Sequence, residues 1–114
     1  MSNLNLERKR CVPCEGGMPP LMKKQIDELK KEIEPAWQVK DLKKVKREFT
    51  FKDFKEALVF VNKVGEIAEK EGHHPDIRLS WGKVEIELTT HAIGGLSIND
   101  FILARKIGIL YNNK

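Results

Sequence analysis

Cysteine is scarce in this chain of 114 residues: there are two, placed together near the start as Cys11-Val-Pro-Cys14. Two thiols at one end cannot build a disulfide framework across a fold, so stability has to come from an ordinary buried core. Nor does any stretch approach the eighteen or more apolar residues of a membrane-spanning helix, and the opening MSNLNLERKR lacks the apolar middle of a secretory signal. A soluble cytoplasmic protein with no membrane partner is expected. A dense basic block is missing too. Lys and Arg number 21 against 17 Asp and Glu, a net charge of +4 spread along the chain, which argues against a dedicated nucleic-acid binder. No serine stands in a nucleophile-elbow context, and no internal repeat is evident. What remains is 40% apolar and 33% charged, the make-up of one small globular domain with a heavily solvated surface.

Residues 1–20 hold Cys11, Pro13, Cys14, Gly16, Gly17, Pro19 and Pro20, so many turn formers that an irregular arm is expected, with a single domain over 21–114. From Met22, the apolar positions Ile26, Leu29 and Ile33 continue one helical stripe that Pro35 ends. Trp37–Val39 and Val45–Phe51 alternate about an Asp41–Lys44 turn, a hairpin. Phe54, Ala57, Leu58, Val61, Val64 and Ala68 line a long helix; Thr50 with Asp53 reads as its capping box and Gly72 as its left-handed end. Ile77, Leu79 and Trp81 alternate, Gly82-Lys83 supplies a two-residue turn, and Val84 to Thr90 alternate again. Ser97 and Asp100 cap a last helix, with Leu96 placed to staple onto Phe101. The pattern predicts an α+β fold: a four-stranded antiparallel sheet with three helices on one face, in the order helix, hairpin, helix, hairpin, helix.

The three histidines fall at the ends of these elements. His73 and His74 follow the long helix, and His91 follows the strand that returns antiparallel toward them, so the chain path should gather all three. Pro75 stiffens the turn and biases His74 away from helical dihedrals. Imidazole titrates near pH 6.5, so such a cluster can hold protonated and neutral members together, as paired acid and base catalysis requires. Singly, each would be an exposed loop histidine; three brought together favour a site. A metal site is the weaker chemical reading, because adjacent histidines in an extended segment point to opposite sides and no helical i, i+4 pair replaces them.

These residues resemble the pterin-4a-carbinolamine dehydratases, a family also described as the dimerisation cofactor of a homeodomain transcription factor. The resemblance rests on Glu69-Lys-Glu-Gly-His73-His74-Pro75, Trp81, His91 and Asp100, with Arg47–Phe54 and Leu88–His91 followed by Gly94-Gly95-Leu96 as supporting matches over about residues 20–112. It implies dehydration of 4a-hydroxytetrahydropterin to quinonoid dihydropterin, with pterin as substrate and no metal or redox cofactor. His73 and His91 would be the acid and base, and His74 would bind and orient the pterin beside Pro75 and Trp81. It also implies a homodimer or homotetramer, and it leaves open a non-catalytic role as transcription cofactor or assembly factor, although relatives specialised for assembly tend to lose histidines that this chain keeps.

The supporting residues have plainer readings as well. Asp100 is accounted for by the helix cap; Trp81, alternating with Ile77 and Leu79, by burial in core or interface; Glu69 either orients His73 or is a solvated carboxylate. The Cys11/Cys14 pair is read first as part of a structural arm, then as a disulfide, last as half a zinc site. The basic positions from Lys40 to Lys55 read as a solvated face.

Overall fold

The computed structural model describes residues 5–12 and 19–113; the expectations that fall on Pro13, Cys14, Gly16 and Gly17 lie outside them. Three helices, α1 (Lys23–Lys30), α2 (Phe54–Glu71) and α3 (Ile98–Asn112), accompany four strands, β1 (Gln38–Lys40), β2 (Lys44–Thr50), β3 (Asp76–Ser80) and β4 (Lys83–Leu88). All neighbours in the sheet are antiparallel and the strand order is β1-β2-β4-β3, so each hairpin contributes one central and one edge strand.

Alternation explains why the helices share a face. Val45, Arg47 and Phe49 of β2 and Val84, Ile86 and Leu88 of β4 point inward and are buried. The outward positions are charged. Glu48 stands directly opposite Glu85, a like-charge pairing that alone would weaken the sheet, but Glu85 takes Lys46 (3.3 Å) and Glu48 takes Lys83 (3.4 Å). The core continues through Trp37, Phe60, Phe101, Ile102 and Ile107, each burial contributing roughly 1.5–3 kcal/mol.

Several boundaries differ from the sequence reading. α2 is capped by Asp53, whose carboxylate accepts from the Glu56 N–H (2.9 Å) while Glu56 accepts from the Lys52 N–H (3.2 Å); Thr50 is still strand, paired with Lys83. The apolar stripe of α1 outlasts its helix: Ile33 is buried in the turn that follows Lys30. In the second hairpin Ser80 pairs with Lys83, so the two-residue turn is Trp81-Gly82 rather than Gly82-Lys83. Gly82 is pinned there by accepting from the Phe51 N–H (2.8 Å), and a Cβ on it would lie 2.9 Å from the Phe51 carbonyl oxygen. The arm is not wholly irregular: Leu6–Arg8 form a 3₁₀ turn that packs on α3, with Leu6 buried in the core. Two leucines two residues apart, Leu4 and Leu6, are too short a pattern in a polar run for the sequence to reveal it. Among the described residues, no helix is long and apolar enough to cross a membrane.

Candidate active site

Gly72 ends α2 in the left-handed conformation (φ 67°), and the next N–H, that of His73, turns back to the Ala68 carbonyl (3.2 Å). This closure fixes the backbone of His73 at the helix end. Its ring, only 12% exposed, lies with Nε2 2.6 Å from Oδ1 of Asp100, which is fully buried at the start of α3.

Asp100 has two roles. Its Oδ2 accepts from the Ser97 N–H (3.0 Å), completing the capping box of α3, and from the Thr90 hydroxyl (2.8 Å). The buried polar atoms around it form a chain with one consistent direction. The Asn99 N–H donates to Ser97 Oγ (3.2 Å), the Ser97 hydroxyl to Thr90 Oγ1 (2.8 Å), and the Thr90 hydroxyl to Asp100. With Oδ2 thus occupied, Oδ1 is an acceptor for His73, so Nε2 carries the hydrogen and Nδ1 is the ring nitrogen left for chemistry, a tautomer assigned from its partners.

Thr90 and His73 therefore meet on one carboxylate, and His91, the residue after Thr90, begins a 3₁₀ turn beside them. The bridge between Thr90 and Gly95 holds that turn, with the Thr90 N–H 2.8 Å from the Gly95 carbonyl. His91 is exposed, and its carbonyl accepts from the Gly94 N–H (3.2 Å) as the turn closes. His74 is exposed as well, and its Nε2 meets Oε2 of Glu69 one turn back on α2. Glu69 is thus the partner of His74 and not of His73, because the helix end directs the two adjacent rings apart.

The fold separates Trp81 from the histidines. His73 and His74 precede β3 and Trp81 follows it, so roughly 17 Å of strand intervenes. At 69% exposure Trp81 is not core, contrary to its alternation; the turn at Trp81-Gly82 takes it off the inward face. Pro75 is half-buried between His74 and β3. A cleft of about 650 Å³ lies elsewhere, between the first turns of α2 and the end of α3, floored by Phe51, Phe60 and Leu110. Among the described residues no three His, Cys, Asp or Glu side chains converge as a metal-binding group.

Thr90 and Ser97 were absent from the sequence-level site, yet both left a trace: a hydroxyl at an inward strand position and a cap in front of a helix. One carboxylate beside the site is clearly perturbed. Burial pushes Glu71 up, but the Cys11 amide, the Lys106 ammonium and the Arg10 guanidinium outweigh it and hold the carboxyl below the ordinary glutamate range.

A Rickettsia canadensis protein named "Putative pterin-4-alpha-carbinolamine dehydratase" is 51% identical over 102 residues, 90% of this chain and 94% of the relative. A crystal structure from Brucella melitensis, described as a transcriptional coactivator/pterin dehydratase, superposes with a TM-score of 0.75 at 30% identity, covering 81% of this chain and 98% of that one. A pterin dehydratase-like protein described as a RuBisCO assembly factor in the α-carboxysome shares the fold (TM-score 0.58, 18% identity, 67% of this chain and 89% of that one). The family model for pterin 4 alpha carbinolamine dehydratase matches residues 19–110, and on these grounds the chain belongs to the pterin-4a-carbinolamine dehydratase family.

Proposed function

We propose that the protein dehydrates 4a-hydroxytetrahydropterin to quinonoid dihydropterin at the surface formed by His73, His74 and His91. The 4a-hydroxyl is a poor leaving group until protonated, so one imidazolium donates a proton to it while the N5 proton passes to a base; water departs and no electron changes hands. The step balances without a metal or redox cofactor. His73 and His91 form the acid/base pair, and His74, oriented by Glu69, binds the pterin beside Pro75. Trp81 lies too far along β3 to join them within one chain.

The observation that carries this reading is the buried Asp100 holding His73 by Nε2, which leaves Nδ1 in a fixed direction as an acid or base; a carboxylate that orients an imidazole is a recurrent device of proton-transfer sites. The test uses purified protein and the decay of carbinolamine absorbance. His91→Ala and His74→Ala change exposed side chains, so folding stability should move by no more than about 0.5 kcal/mol. Loss of His91 should lower the rate by roughly 10²–10⁴-fold. Wild-type protein that does not accelerate the decay, or a His91→Ala variant as fast as wild type, overturns the proposal and leaves a binding role.

A further inference from the structure

The N-terminal arm meets the domain at two side chains, and each is a near neighbour in sequence of one half of the His73–Asp100 pair. Glu71, two residues before His73, has a carboxylate only 3% exposed; its Oε1 accepts from the Cys11 N–H (2.9 Å) and from Arg10 Nε (3.2 Å), while Arg10 Nη2 also donates to the Lys70 carbonyl (3.0 Å). Asn99, immediately before Asp100, is 2% exposed; its Oδ1 accepts from the Val12 N–H (3.0 Å) and its Nδ2 donates to the Val12 carbonyl. Thus Arg10–Val12 bridge the end of α2, which carries His73, and the start of α3, which carries Asp100. Farther back, buried Leu6 and the Glu7–Arg105 pair (3.0 Å) secure the arm to α3.

We propose that Arg10–Val12 act as a clamp that positions His73 against Asp100, with Asn99 and Glu71 as its receptors: positioning residues that do not touch substrate. The inference deepens the dehydratase reading and rests on it for its kinetic consequence. Asn99 is the natural relay, because its own N–H feeds Ser97 Oγ, which feeds Thr90, which feeds Asp100. A shift of Asn99 is passed along that chain to the carboxylate that fixes the His73 ring. Glu71 works from the other side. Without the two arm donors its buried charge keeps Lys106 (2.9 Å) but loses the bonds that tie the last turn of α2 to the arm. Both receptors are buried polar groups whose hydrogen bonds are completed by backbone donors of the arm, and such groups demand their partners.

The experiment compares full-length wild type with Val12→Pro, which deletes the N–H that reaches Asn99, with Asn99→Ala, and with Arg10→Ala as the mildest change. Two readouts are taken: carbinolamine turnover resolved into kcat and KM, and the downfield proton resonance of His73 Nε2–H, which reports the bond to Asp100 whether or not the protein turns over pterin. The clamp predicts that kcat falls on the order of 10–100-fold with KM within about twofold, and that the His73 proton signal broadens or disappears while the His74 ring signals stay in place. An unchanged His73 signal in all three variants overturns the clamp even if every one is less stable, and so does a changed signal with undiminished kcat. If wild type lacks turnover, the dehydratase reading fails and the proton signal still decides whether the arm positions the ring. Should Val12→Pro or Asn99→Ala not fold, Arg10→Ala carries both readouts.

Discussion

His73 and Asp100 are 27 residues apart in sequence, and their side chains close to 2.6 Å because one helix ends and another begins at the same place. The contact joins fold and chemistry: the carboxylate that caps α3 also selects the tautomer of the ring at the end of α2. Asp100→Ala should therefore do two things. It removes a capping box and leaves the Thr90 hydroxyl and the Ser97 N–H without their acceptor in the interior, which should cost about 2–4 kcal/mol in urea unfolding. It also frees the His73 ring, so kcat should fall by more than the stability loss explains when measured well below the transition. A variant with wild-type turnover would mean the pair is structural only.

Glu69 and His74 form the solvent-facing counterpart. Both are largely exposed, so Glu69→Ala should change stability by no more than about 1 kcal/mol. If Glu69 orients His74 for pterin binding, KM should rise several-fold with kcat nearly unchanged. An effect on kcat with KM constant would move His74 from binding to proton transfer.

The meeting of the His73 end with Thr90, the neighbour of His91, was legible in the sequence because it depends on topology: a strand out and a strand back return the chain to the helix end whatever the details of register. Apart from its place in the signature that carries the resemblance, Asp100 was legible as a cap, since a sequence pattern reports the local partner three residues away and is silent on a ring 27 residues away. Of the two readings of Glu69, the solvated carboxylate matches its exposure, while the imidazole it meets is His74 and not His73; which of two adjacent rings faces a helix depends on how the chain leaves Gly72. Trp81 is not in the core, one of the two burials its alternation offers, because alternation does not say where a strand stops, and a one-residue move of the turn carries a side chain off the inward face. The contacts of Arg10–Val12 were illegible altogether. They use backbone groups of Cys11 and Val12, which carry no residue-type signal, and an Arg10–Glu71 ion pair between residues 61 apart in sequence.

Glu71 and Glu34 set the acid limit of stability. In Glu34, as in Glu71, burial raises the carboxyl but is outweighed, here by the Asn112 amide and the Arg47 guanidinium, so both are held below the ordinary glutamate value of about 4.5. A carboxyl whose folded value is depressed contributes stability that is fully present above its unfolded value and is lost as pH falls through the folded one. Unfolding free energy should thus be flat above about pH 5.5 and decline progressively below about pH 4.5. Glu71→Gln should be less stable at neutral pH and show a shallower decline. Equal slopes for variant and wild type, measured by denaturant titration from pH 3 to 7, would remove Glu71 from this account.

Arg47 is an inward-facing cation on a strand otherwise apolar on that side. Its guanidinium lies 4.4 Å from the centroid of Phe49 and 5.4 Å from that of Tyr111, and Nη1 donates to Glu34 (3.0 Å). Lysine keeps the charge but not the flat face that stacks, so Arg47→Lys should destabilise by about 1–3 kcal/mol with little effect on turnover, since the histidines lie at the other end of α3. Gly108 leaves room for the pair: a Cβ there would stand 2.7 Å from Glu34 Oε1, and Gly108→Ala should displace that carboxylate and reproduce part of the loss.

The remaining edge strand bears on assembly. Among the described residues β3 pairs only with β4, and it presents Ile77 at 36% exposure, with Trp81 at 69% in the turn that follows. An unpaired edge carrying apolar side chains invites a second strand, and a two-fold axis beside it would pair β3 with its own copy and shelter both residues. The expected species in sedimentation is therefore a homodimer or a homotetramer. Ile77→Lys places a charge on that edge, where symmetry would set it near its counterpart, and should shift the population toward monomer at micromolar concentration while leaving the fold intact by circular dichroism. Trp81→Ser should act in the same direction through lost apolar area. If both variants sediment as wild type does, β3 is not the contact, and the exposed Phe54, Leu58 and Val59 on α2 become the surface to substitute next.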